Sequence, residues 1–415
     1  MKIKLRTITL QSFQSKHDEE LLKQFKKGLS LLADRELSPR TYRIVSDCVK
    51  GSSSELSQSL KEYVEQAHAY GFWGIGLPFD VSGKDYLETM ETLSKVPFAT
   101  DENIFINLIP AEVGLINLKS IPAISSLIIQ NSDTPINNFR LGVSSQKLLT
   151  PFFPFSCAQR HGEFVVGLEL VSFITELVRE NNRLDLNQLR EKIITSLLTE
   201  LSRIQESLKV IEQETGLIYG GLDLSLAPYP YPLEDQSVVT LIEEIGKIGR
   251  SRGEAVFEFG AGGTHFINSY LTDILGFIAK QDDTIKTVGF NGVMYSVLED
   301  TYLSKRYMDD TFDINFLKLL STTCGCGVDM VPLCGDVTNS SISGTIVDVI
   351  STAIILQKPL GVRLLPVANL RHGDLTKFKH LFFANTKVKE IKEGATFEYL
   401  PDQQASFSFK RNQHV

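Results

Sequence analysis

The segment Ser321–Asp336, STTCGCGVDMVPLCGD, gathers the most reactive side-chain types in this chain. Cys324 and Cys326 flank one glycine and precede another, which puts two thiols on a loop whose backbone can approach a ligand closely. A thiolate acts as a nucleophile or metal ligand where a cation or a helix N-terminus lowers its pKa. Cys324 is therefore a candidate nucleophile. With Cys334 the three thiols offer a zinc or iron–sulfur set, although the C-x-x-C pair usual in such sites is missing. The plain alternative is small buried residues in a tight turn.

Asp329, in the same segment, and Asp223, in GLDLSLAP, share a local pattern of Gly, apolar, Asp, apolar and a Pro-bearing exit. Functional groups in parallel α/β folds gather at the carboxyl ends of strands. The echo thus places Asp223 and Asp329 at equivalent positions, as acid–base groups or, with Asp336, as ligands for a divalent metal. Each aspartate equally suits the bonding of local backbone amides. In VGFNGVMYSVLED, Glu299 is expected to face a cavity and Asp300 to cap the next helix.

Arg363 in GVRLLPV and Glu169 in FVVGLELV are charges inside apolar runs. A buried arginine needs a carboxylate or an anionic ligand, and these two residues can satisfy each other. AVFEFGAGGTHF, residues 255–266, reads as a strand, a glycine-rich turn and a helix beginning near Thr264. The amides of Gly262, Gly263 and Thr264 would then hold an anionic group, or form a close-packed turn that Thr264 caps. His265 stands beside them as an acid–base group. The run has neither G-x-G-x-x-G nor Walker spacing, and no G-x-S-x-G, H-E-x-x-H or kinase signature occurs in the chain.

These residues need a scaffold, and the hydrophobic pattern predicts one of about ten strands alternating with helices. Strands are expected at 5–10, 42–49, 72–77, 104–109, 139–143, 164–170, 220–227, 288–297, 328–333 and 362–367. Most are continuous apolar runs, as in parallel strands buried on both faces. Amphipathic stretches lie between them, with Leu21, Leu22, Phe25, Leu29 and Leu32 at helical spacing. The longest helical reading, 184–213, is one helix, two helices or a lid-like insertion. No low-complexity linker divides the chain, so 1–415 reads as one α/β domain, with about ten units favouring a closed barrel or a very wide open sheet.

Composition narrows the function classes. Hydrophobic residues make up 42% and charged residues 22%, an ordinary globular balance. The formal charge of −8 and the absence of a basic run argue against nucleic-acid binding, which needs a basic footprint. No uninterrupted apolar stretch reaches the roughly 18 residues of a membrane span, and the N-terminus reads as a strand rather than a signal segment. A cytoplasmic protein is expected. Five cysteines in 415 residues do not suggest a disulfide framework.

The stretches TPFFPFSCA, GLDLSLAPYP, GFNGVMYSVLED, CGCGVDMVPLCGD and KPLGVRLLPV followed by HGD, within 150–374, resemble an uncharacterised family of pyruvate formate-lyase-like proteins. That resemblance implies a ten-stranded barrel like that of the glycyl-radical enzymes, with Cys324 at the cysteine-loop position. The C-terminal part lacks a radical-glycine signature, so glycyl-radical chemistry is not expected.

The residues together predict an enzyme for a small polar metabolite. Asp223, Asp329 and Glu299 would converge as acid–base or metal-binding groups, with Cys324 as nucleophile and Arg363 or the Gly262–Thr264 amides holding an anionic group. The contrasting expectation is a non-catalytic ligand-binding or assembly protein on the same barrel. A symmetric homodimer is the default expectation for assembly.

Overall fold

Runs of apolar residues that recur with polar breaks build twelve strands in a computed structural model, which describes residues 2–14, 18–229, 236–249, 256–280, 284–395, 400 and 406–409. The strands are β1 Lys4–Gln11, β2 Thr41–Val45, β3 Gly74–Asp80, β4 Ile104–Ile109, β5 Ala111–Glu112, β6 Leu115–Asn117, β7 Leu141–Ser144, β8 Glu163–Glu169, β9 Ile218–Asp223, β10 Gly327–Cys334, β11 Gly361–Val367 and β12 Ser406–Ser408. Nine form one sheet in the order β10-β11-β7-β4-β3-β2-β1-β8-β9, and β12-β6-β5 form a small second sheet.

The large sheet consists of parallel blocks set against each other. The strands β1, β2, β3, β4 and β7 run parallel, as do β8 with β9 and β10 with β11. The blocks meet in antiparallel seams at β1–β8 and β7–β11. Every residue of β3, β4, β7 and β10 is buried, which explains why their sequences are apolar throughout rather than alternating.

Helices cover the outer face. Segment 184–213 forms part of one continuous helix, Leu186–Thr215, opened by an Asp185–Gln188 capping box and closed by left-handed Gly216. Its buried stripe of Leu189, Ile193, Leu197, Leu201 and Leu208 makes it part of this outer layer, beside helix Glu19–Ala33. Helix Asn339–Leu356 is long and apolar enough to cross a bilayer, but half of it is buried and it packs on helix Ser120–Gln130 as core.

The inner face is filled by the chain itself. Residues Pro151–Ala158 thread through the concavity, and glycines on three strands make room for their rings. A Cβ on Gly361 would stand 2.4 Å from Phe155, one on Gly142 2.5 Å from Pro154, and one on Gly76 2.9 Å from Phe153.

Two expectations need correction. The ten strands do not form a continuous closed ladder, because segment 288–297 makes only isolated bridges. Its backbone is committed elsewhere: the amides of Phe290 and Asn291 donate to the Asp223 carboxylate, and Gly289 and Asn291 take positive φ. Gly292 also lies against Gly325 so closely that a Cβ on it would meet the Gly325 Cα at 2.6 Å. Ahead of helix Thr264–Ala279 no strand forms in 256–263; Phe257 and Phe259 are instead buried side chains of a turn, and Ala255 lies outside the described residues.

Candidate functional site

A cavity of about 260 Å3 opens between the filled concavity and the strand ends, and charges of both signs line it. Its best-ordered feature is an ion-pair cluster that β10 and β11 bring together. Arg363 donates from Nε to Asp329 Oδ1 at 2.5 Å and from Nη2 to Asp329 Oδ2 at 2.7 Å, a planar two-point contact. Its Nη2 also reaches Glu299 Oε2 at 2.6 Å, and Nη1 donates to the Phe139 carbonyl at 3.1 Å. The Phe139 and Phe155 rings each lie 5.6 Å from the guanidinium.

The electrostatics follow from this packing. Burial opposes the Arg363 charge, but Asp329 and Glu299 outweigh it and raise its pKa above the ordinary value. Burial also opposes the Glu299 carboxylate, yet Arg363, the Ser296 hydroxyl at 2.6 Å and Arg6 hold it below its usual range. Burial raises Asp329, with the Arg363 guanidinium acting against it.

Two further arginines reach the cavity from the opposite wall without such partners. Arg6 donates from Nη1 to the carbonyls of Ala227 and Pro228 at 3.1 and 2.6 Å, with the Phe152 and Tyr229 rings 5.7 Å away. Arg43 donates from Nη1 to the Pro151 carbonyl at 3.0 Å and stacks near Trp73 and Phe153 at 4.8 and 5.2 Å. Among the described residues neither makes an ion pair with a carboxylate, and the buried Nε of Arg43 has no hydrogen-bond partner. Burial, then the repulsion of Arg6, pushes the Arg43 pKa down to about 9, with Glu299 opposing and Arg363 adding to the shift; burial likewise lowers Arg6, against the attraction of Glu299 and Glu169. At the rim, Arg40 pairs with Glu169 at 2.7 Å and lies 4.1 Å from the Tyr229 ring.

The cavity wall thus sets the guanidiniums of Arg6, Arg43 and Arg363 against the carboxylates of Asp329 and Glu299. Arg40 and Glu169 neutralise each other beside it. This arrangement can hold an anionic group, with Phe105, Phe152, Phe153 and Trp73 offering flat apolar contact.

The expected site residues distribute unevenly. Asp329, Glu299 and Arg363 come together at the cavity, while Glu169 pairs with Arg40 rather than with Arg363. Asp223 lies outside the cavity wall. It closes β9, whereas Asp329 is the third residue of β10, so the sequence echo does not put them at equivalent positions. Its two oxygens accept from Thr150 Oγ1 at 2.8 Å, the Ser225 amide at 3.0 Å, Ser225 Oγ at 2.5 Å and the amides of Phe290 and Asn291. Burial raises its pKa, and these donors oppose the shift. Asp300 caps helix Thr301–Met308 through the amides of Tyr302 and Leu303.

Gly262, Gly263 and Thr264 start a helix that does not border the cavity. Thr264 Oγ1 accepts from the Gly260 amide at 3.0 Å, and His265 contacts Thr322 and Thr323. Asp336 is exposed in the turn beyond the end of β10, whereas Asp329 is buried within that strand and Asp223 closes β9. Among the described residues no group of three His, Cys, Asp or Glu could hold a metal ion. Cys334 ends β10 while Cys326 precedes its start, which separates the three thiols expected to cluster. Cys326 lines the cavity with Cys324 beside it.

Arg6 and Arg43 are absent from the sequence-based site, although KLRTITLQ and TYRIV carried the signal. Each is a cation inside a strand-forming run, the same feature that singled out Arg363.

Comparison with known proteins places this geometry in a family. Residues 45–385 match the family described as Uncharacterised ACR (DUF711). A UPF0210 protein of Pyrobaculum arsenaticum is 29% identical over 280 residues, covering 65% of this chain and 58% of that protein. One from Methanosarcina barkeri is 26% identical over 288 residues, covering 66% and 59%. One from Bifidobacterium longum is 31% identical over 166 residues, covering 39% and 33%. The chain spans less than two thirds of the length of each of these relatives. These matches overturn the pyruvate formate-lyase-like resemblance, since the family and relatives matched carry no such description. The chain belongs to the uncharacterised DUF711 family.

Proposed function

We propose that the protein binds a small anionic metabolite in the cavity of its curled sheet, with Arg6 and Arg43 holding the anion. One observation carries this reading: among the described residues neither guanidinium makes an ion pair with a carboxylate at this cavity, and the buried Arg43 Nε has no acceptor. A desolvated, unpaired charge is costly, so a ligand that supplies the missing anion gains the interaction the apo protein lacks. The aromatic walls favour a ligand whose carboxylate or phosphate is attached to a flat or branched apolar body.

The enclosure of the cavity supports the same reading. Segment 287–296 bridges β9 through Leu222–Thr287, the stretch just after β9 through Leu226–Val293, and β10 through Ser296–Asp329. We read the sheet as a barrel closed by this irregular tenth strand.

A binding role is favoured over the expected acid–base enzyme because Asp223 is committed to five local donors and Asp329 to Arg363. The enzyme reading rests on Glu299, whose side chain is 14% exposed at the cavity.

Thermal-shift and calorimetric screening with small carboxylates, phosphate esters and matched amines tests the proposal. An anion at a hundredfold excess over its Kd should stabilise the wild type by about 2.7 kcal/mol. Arg6→Gln and Arg43→Gln should each remove most of that response. Equal responses in both variants, or a preference for the amines, would overturn it.

A further inference from the structure

The loop carrying Cys324 and Cys326 has chemistry that anion binding does not use. Its shape is fixed by backbone: the Gly325 amide donates to the Val293 carbonyl at 2.7 Å, and Gly325 sits against Gly292 with no space for a Cβ on either. Both sulfurs accept backbone amides, Cys324 from Gly327 at 3.4 Å and Cys326 from Tyr295 at 3.3 Å. The two thiols stand one residue apart on a bend of the chain, and each shifts the other's proton affinity. Lys358 brings its ammonium to the carbonyls of Ser321 and Cys324, placing a cation beside the pair. Cys326 also forms part of the cavity wall, so small molecules entering the cavity meet that sulfur.

We propose that Cys324 and Cys326 are a redox-active dithiol, a modification site for small hydroperoxides that enter through the cavity. Residues two apart lie within about 7 Å, inside the Cα separation a disulfide spans. At neutral pH the pair shares one proton. Burial opposes the Cys324 thiolate, but the Cys326 thiol, the Lys358 charge and the Gly327 amide lower its pKa to about 6. The Cys324 thiol contact and burial raise Cys326.

Transfer of the shared proton from Cys326 to Cys324 puts the thiolate on the cavity wall. That thiolate attacks the hydroperoxide, forming an S–O bond as the O–O bond breaks. The alkoxide leaves as the alcohol with the proton held on Cys324. The Cys324 thiolate then attacks the Cys326 sulfenic sulfur, forming the S–S bond and releasing hydroxide, which takes a proton from the acid form of the solvent buffer and leaves as water. Two thiols lose one electron each and the peroxide gains both.

The test uses the intact, reduced, ligand-free protein and does not depend on anion binding. Treatment with an equimolar small alkyl hydroperoxide is followed by alkylation and peptide mass spectrometry. The peptide containing both cysteines should lose two hydrogens and resist alkylation, at least tenfold faster than Cys334 is oxidised. Cys324→Ser should leave Cys326 as a sulfenic acid that dimedone traps, and a dithiol reductant should restore both wild-type thiols. Full alkylation of both residues after peroxide treatment, or faster oxidation of Cys334, would overturn the proposal.

Discussion

Arg363 and Arg43 line the same cavity, yet changing them or their partners should have opposite consequences. Arg363 is matched by Asp329 and Glu299, so Asp329→Asn removes its two-point partner while Glu299 remains, and should cost about 1.5–3 kcal/mol in chemical denaturation. Among the described residues Arg43 pairs with no carboxylate, so Arg43→Met should leave apo stability within about 1 kcal/mol of wild type while abolishing anion-dependent stabilisation. The pH dependence is set by the guanidiniums, which stay charged. Anion affinity should therefore be level between about pH 7 and pH 9, and calorimetry across that range checks this. At the thiols, alkylation of Cys324 by a small reagent should fall off as pH drops through about 6. Cys326→Ala removes the neighbouring thiol that helps to hold the Cys324 pKa down and should move that midpoint upward. Sequence alone exposed the oddity of Arg363, because a cation in an apolar strand is visible in one dimension. It could not reveal that Asp223 spends its oxygens on backbone amides from residues 290 and 291, since that demand arises only when distant loops meet.

Among the elements, the threaded segment Pro151–Ala158 governs the inner face, and the strands facing it pay in side-chain volume. Gly361→Ala should put a Cβ into the Phe155 ring and destabilise the fold by about 1–3 kcal/mol, read from denaturant midpoints. Nine expected strands were legible because runs such as IFINLI and GVDMVPLC are buried on both faces and need apolar residues throughout. Segment 288–297 carried a similar apolar signal but forms no ladder strand. Its amides serve Asp223, and its glycine lies against the cysteine loop. Periodicity records where side chains are buried, not which partner takes each backbone hydrogen bond. The same limit left helix Leu186–Thr215 ambiguous, because its charges interleave with a stripe that only the neighbouring helix defines.

For the whole molecule, the antiparallel seams matter most. Strand β1 pairs with β2 early in the chain and with β8 more than 150 residues later, while β11 returns to pair with β7. Such separations make closure entropically slow, so refolding should be multiphasic, with ligand-dependent fluorescence of Trp73 recovering only in the slowest phase. The cavity joins Arg6 of β1 to Arg363 of β11, which lies beyond the long crossover helix and both cysteines. A chain truncated before β11 therefore holds Arg6 and Arg43 but lacks Arg363 and the strand that carries it. The anion binding proposed for this cavity would then double as a reporter that β11 has joined the sheet.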